Sequence, residues 1–104
     1  MKEQTRYIER GDLKGATHLE IKVSYSKGGR NYITGEVNPR GFYVSVTPVT
    51  KKDGMIRFVA FTGQKRLLLE VSRFTEKQFG RAVAMAKNFE DELIDAVVSQ
   101  NKAA

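Results

Sequence analysis

The chain has no cysteine, no tryptophan, one histidine and two prolines among its 104 residues. Without cysteine there is no disulfide, no thiolate metal site and no cysteine nucleophile, which fits a reducing, cytoplasmic setting. His18 is the single imidazole. It opens an alternating segment on the polar side with no second ligand type nearby, so it reads as a surface residue. No apolar run approaches the ~18 residues that cross a bilayer, so no membrane partner is expected. The opening MKEQTRYIERGD is polar and mixed in charge, unlike a secretory signal. Gly28-Gly29 and the GQKR stretch lack the spacing of a phosphate-binding loop or a dinucleotide fingerprint. No serine has a base at a recognisable spacing. Glu90, Asp91, Glu92 and Asp95 crowd one stretch, and Glu92 and Asp95, three apart, could share a helix face and hold a divalent ion. A solvated helix face is the simpler reading. The Arg10-Gly11-Asp12 match to the integrin-adhesion tripeptide is of a length that arises by chance. The chain therefore reads as a non-enzyme without cofactor or metal.

What is present is positive charge, unevenly placed. Residues 22–73 hold ten Lys or Arg against Glu36, Asp53 and Glu70, a net +7, whereas residues 1–21 balance and residues 74–104 sum to −1. A basic surface attracts nucleic acid, anionic lipid or an acidic protein.

The length fits one small domain. The first sixteen residues look irregular, with RGDLKGA as a turn. THLEIKVSYS alternates, with Leu19, Ile21, Val23 and Tyr25 on one face and His18, Glu20, Lys22 and Ser24 on the other. Lys27-Gly28-Gly29 reads as a hairpin turn and RNYITGEV as a second strand. NPRG is a turn and GFYVSVTPV a third strand, with Pro48 at an edge or bulge near its end. MIRFVAFTG and KRLLLEVSR follow the Asp53-Gly54 turn as fourth and fifth strands. Residues 75–99 read as one long helix. Thr75 is its N-cap, with Gln78 three residues on as a capping box requires, and Phe74 and Phe79 form a hydrophobic staple. The fold class is thus α+β: a twisted antiparallel meander of about five strands at 17–73 with one C-terminal helix on one face. A helix from Glu76 to Val98 would be roughly 35 Å long, against ~17–20 Å for a typical strand. Its overhanging apolar stripe predicts a homodimer.

If the helix covers Leu19, Ile21, Val23, Phe58, Leu67 and Leu69, alternation leaves Lys22, Ser24, Tyr32, Tyr43, Ser45, Thr47, Arg57, Phe61 and Arg66 on the other face. Cations, hydroxyls and flat rings suit single-stranded nucleic acid, since cations neutralise phosphate and rings stack on unpaired bases. The candidate binding residues are Lys22, Arg30, Tyr32, Arg40, Tyr43, Arg57, Phe61, Lys65 and Arg66. The alternative is a protein-interaction or regulatory subunit whose basic sheet face docks an acidic partner.

The junction KRLLLEVSRFTEKQF, a last strand followed by Thr-x-x-Gln-Phe opening a helix, resembles that of the Whirly and transcriptional-coactivator group of single-strand-DNA-binding folds. That resemblance implies single-strand binding and dimers made through helix and sheet edges. The stretches YIERGDL, THLEIKVSYSKGG and PRGFYVSVTPV are similar to small uncharacterised proteins of Gram-positive plasmids and conjugative elements, which implies a cytoplasmic accessory role on a mobile element. The strand count is also similar to small RNA-binding β-barrels of the pseudouridine-synthase-associated type.

Overall fold

A computed structural model describes residues 2–58 and 63–101. Alternating β-branched and aromatic side chains build the sheet. The strands are β1 (Gln4–Glu9), β2 (His18–Ser26), β3 (Gly29–Arg30), β4 (Val37–Asn38), β5 (Gly41–Lys52), β6 (Met55–Phe58) and β7 (Gln64–Glu70), followed by α1 (Glu76–Ala86) and α2 (Glu90–Gln100). Five of these strands form one antiparallel sheet in the order β1-β2-β5-β6, with β7 also paired to β5. The α+β class and the strand count agree with the reading of the sequence, but the membership differs. A strand forms at Gln4–Glu9 within the stretch expected to be irregular. RNYITGEV is no sheet strand: β3 and β4 make a separate two-residue ladder closed by a turn. That turn is built by Asn31, whose Oδ1 accepts from the Ile33 and Thr34 amides at 2.9 and 3.3 Å.

Opposed residues on an antiparallel pair share a face, so register sorts the side chains. Leu19, Ile21 and Val23 lie opposite Pro48, Val46 and Val44. With Phe42 and Leu68 they form the core against Ala82 and Ala86 of α1 and Leu93, Val97 and Val98 of α2. Between Phe42 and Tyr43 the β7 partner jumps from Leu69 to Leu67, so Leu68 is the extra residue of a β-bulge. Relative to unbroken alternation from Leu69, the β7 side chains that precede it, Gln64 to Leu67, have switched faces.

The expected single helix is two. Asn88 and Phe89 bond back only three residues, to Met85 and Ala86 at 3.0 Å each, which tightens the chain between the helices. Glu90, Asp91 and Glu92 then occupy the first turn of α2. There negative charge complements the positive end of a helix dipole, so the sequence favours a fresh start. The cap and the staple are as read, but the box is only half closed: Thr75 Oγ1 accepts from the Gln78 amide at 3.2 Å and the Phe74 and Phe79 rings lie 5.8 Å apart, while the Gln78 side chain turns to Arg81 instead of the Thr75 amide. Gln78 Oε1 accepts from Arg81 Nη1 at 3.0 Å. Because α2 lays Leu93, Val97 and Val98 on its own sheet, the overhanging stripe that motivated a dimer is covered within one chain.

Candidate functional site

The two faces of the sheet differ in character. Opposite the helices, β2 and β5 present Glu20, Lys22 and Ser24 against Thr47, Ser45 and Tyr43. Lys65 and Leu67 join them from β7, because Ser45 and Tyr43 are their partners. This open face is no bare platform of rings. Tyr43 is 6% exposed; its hydroxyl donates to the Pro39 carbonyl at 2.7 Å, and Lys65 Nζ sits 4.3 Å from its ring centroid. Burial, and secondarily the charge of Glu70, pushes its phenol above the ordinary value. A capped, buried ring has no free surface for a base, so Tyr43 leaves the set of stacking candidates. Glu20 is buried at the centre of the face. It accepts from the Tyr7 hydroxyl at 3.1 Å and lies 3.7 Å from Lys22 Nζ, which compensates that lysine.

Arg66 and Arg57 are corrected to the other side. The β7 bulge puts Arg66 opposite Val44, on the helix side. Its guanidinium lies 4.0 Å from the Phe89 ring centroid and 3.5 Å from Glu92. Arg57 lies opposite Thr50, whereas Phe58, expected in the core, lies opposite Val49 and is 62% exposed. Leu67 likewise leaves the helix side. Phe61 lies outside the described residues. Arg30 and Tyr32 belong to the β3–β4 turn region, where Tyr32 is 95% exposed. Arg40 is exposed just before β5, and its carbonyl accepts from the Val71 amide at 3.1 Å.

The ten cations of residues 22–73 therefore fall into three groups. Lys22 and Arg66 are ion-paired. Lys51 and Lys65 rest on the rings of Tyr7 and Tyr43. The side chains of Lys27, Arg30, Arg40, Lys52, Arg57 and Arg73 have neither a carboxylate nor a ring partner among the described residues. Those six gather at the two ends of β5. Lys27, Arg30, Arg40 and Arg73 are near its start, with exposed Tyr32, Ile33 and Val37; Lys52 and Arg57 are at its far end, with exposed Met55, Ile56 and Phe58. Of the second cluster the sequence singled out Arg57 but missed Lys52. The Asp53-Gly54 turn carried the signal: both residues have positive φ, 52° and 76°, as a two-residue type I′ hairpin requires. That turn fixes Lys52 against Met55 and Arg57 against Thr50.

The other singled-out groups are engaged locally. Arg10 Nε and Nη2 donate to Asp12 at 3.0 and 2.8 Å, so the charged ends of the tripeptide pair with each other. Glu90 takes an ion pair from Arg6. His18 Nδ1 lies 2.7 Å from Thr17 Oγ1. Among the described residues no group of three or more acids and histidines is placed to hold a metal ion, and no helix is long and apolar enough to cross a membrane. No family model, curated protein or solved structure matches the chain.

Proposed function

We propose that the chain is a non-enzymatic, sequence-tolerant binder of single-stranded DNA or RNA with an accessory role. The observation that carries this reading is the set of six uncompensated cations at the two ends of β5. Such cations hold phosphate and release its condensed counterions. Tyr32 and Phe58, exposed at the same two ends, supply ring faces for unpaired bases. The binding surface is thus the two hairpin ends, and the middle of the open face is not part of it. A duplex, whose bases are already stacked, binds more weakly.

Titration of labelled single-stranded DNA, RNA and duplex at several salt concentrations tests this. Replacing Arg40 and Arg57 with Ala should weaken binding to every sequence and lower the salt slope by about two units, one per phosphate contact. Arg66→Ala should leave the slope unchanged, since its charge is already answered by Glu92. Phe58→Ala should cost ~1–3 kcal/mol for single strands with little change in slope. Binding of all nucleic acids only near the ~10⁻⁴ M of non-specific electrostatics, with no effect of Phe58→Ala, would sink the reading.

That outcome favours the second reading, an interaction protein. It is supported by Ile56 and Phe58, 37% and 62% exposed on the hairpin face that also carries Lys51. Apolar residues rimmed by cations suit an acidic protein partner, and a second copy of the chain could cover the same patch. A homodimer now rests on this patch.

A further inference from the structure

We infer that the hairpin joining β5 and β6 carries a discrete phosphodiester site between Lys52 and Arg57. The inference rests on the nucleic-acid reading for the source of the ligand, but its geometry stands apart. Thr50, Lys52, Asp53, Met55 and Arg57 line a cleft of about 340 Å³. Register explains the grouping: Thr50 opposes Arg57 and Lys52 opposes Met55, so all four side chains leave one face of the hairpin. Lys52 and Arg57 are then diagonal neighbours, roughly 7–8 Å apart at the backbone, a gap that two long side chains close around one tetrahedral anion. No helix covers the site, for all four residues of β6 are exposed.

The donors are also unspent. Neither Lys52 nor Arg57 has a carboxylate oxygen within 4.0 Å among the described residues. Thr50 Oγ1 donates to the Gly15 carbonyl at 2.9 Å, so its proton is committed and the anion must be held by the two cations. An arginine fork beside a lysine gives charge-assisted hydrogen bonds to phosphate oxygens. Met55 lines the cleft as its apolar side. Asp53 holds the net charge of the lining at +1. That balance matches a monoanionic diester better than the dianionic terminal phosphate of a free nucleotide.

The hairpin provides its own control. Lys51 is adjacent in sequence, has the same charge and belongs to the opposite face, where it lies 4.9 Å from the Tyr7 ring centroid. The experiment follows backbone amide shifts while a short oligothymidylate, diethyl phosphate or inorganic phosphate is added to wild type and four variants. Lys52→Ala and Arg57→Ala should each weaken oligothymidylate binding about tenfold, the scale of a lost charge-assisted bond. Lys51→Ala should change it less than about twofold. Asp53→Asn should tighten it; the variant keeps the turn, because Asn-Gly is a favoured type I′ pair. The diester should shift residues 50–57 more than inorganic phosphate does. Equal losses in Lys51→Ala and Lys52→Ala would overturn the cleft and leave the nucleic-acid reading standing. No oligothymidylate binding, with diester shifts that vanish in Lys52→Ala, would uphold the cleft and end that reading. No shift at residues 50–57 with any probe would overturn the inference.

Discussion

At Tyr43 a strand-forming aromatic that looked available to a ligand turns out to serve the fold. Its hydroxyl donates to the carbonyl of Pro39, which precedes β5, and Lys65 closes over its ring. Tyr43→Phe removes the donor while keeping the ring, so the expected loss is ~1 kcal/mol in a urea melt. The pH dependence has a definite sign. Burial, then the charge of Glu70, raises the phenol above its ordinary 10.0. Above about pH 10 the unfolded chain therefore loses this proton before the native state does. Stability then falls as pH rises through the raised value, and the contribution is complete below pH 10. Urea melts between about pH 8 and 11 should show a shallower alkaline fall in Tyr43→Phe than in wild type. Some fall should remain, because Tyr7 is raised too, by burial and by its bond to Glu20. Identical slopes in the two proteins would show that the native phenol is not held from ionising.

Elements follow local chemistry where that chemistry is complete. The α1 entry was legible because cap, box position and staple sit within six residues, and Thr75→Ala should cost ~1 kcal/mol. Phe79→Ala should cost up to ~3 kcal/mol, the low end for an aromatic deletion because the ring is half-buried. The glycines separate two kinds of constraint. A Cβ at Gly54 meets nothing within 4 Å, so Gly54→Ala has only the strain of φ +76, ~1–2 kcal/mol. A Cβ at Gly41 would stand 2.2 Å from the Leu69 carbonyl oxygen, so Gly41→Ala must push β7 off β5. Denaturant midpoints should rank Gly41→Ala well below Gly54→Ala. What the sequence hid were features set by partners. One extra residue at Leu68 reversed the faces of Arg66 and Leu67, and no residue type marks that position as a bulge. The strand at Gln4–Glu9 owes its place to the β2 edge it pairs with, not to a strong pattern of its own. Two misreadings were avoidable. Three consecutive acids at Glu90–Glu92 announce a helix start, and a two-residue Asp-Gly turn dictates that Phe58 shares a face with Val49.

Across the whole molecule the uncompensated charge is bipolar in position. The four cations near Gly41 and the two near Lys52 are separated by the length of β5, twelve residues. At 3.3 Å per residue this is about 35–40 Å, close to the longest dimension of the molecule, 41 Å. Single strands too short to bridge that distance engage one end at a time. Longer ones engage both, and the second contact becomes intramolecular with an effective concentration set by the connecting nucleotides. Affinity measured against oligothymidylate length should therefore rise in a step once the strand bridges β5. The step should coincide with a steeper salt slope, because more phosphates are then neutralised. Removing the three near-end arginines, Arg30, Arg40 and Arg73, should abolish the step and leave short-strand binding at the far hairpin intact. Lys65→Ala, which removes a charge lying on the Tyr43 ring, should leave the step in place. A smooth rise proportional to the number of phosphates, with no change in salt slope, would mean that the two ends act as independent sites. The bridging geometry would then be wrong even if single-stranded binding is right.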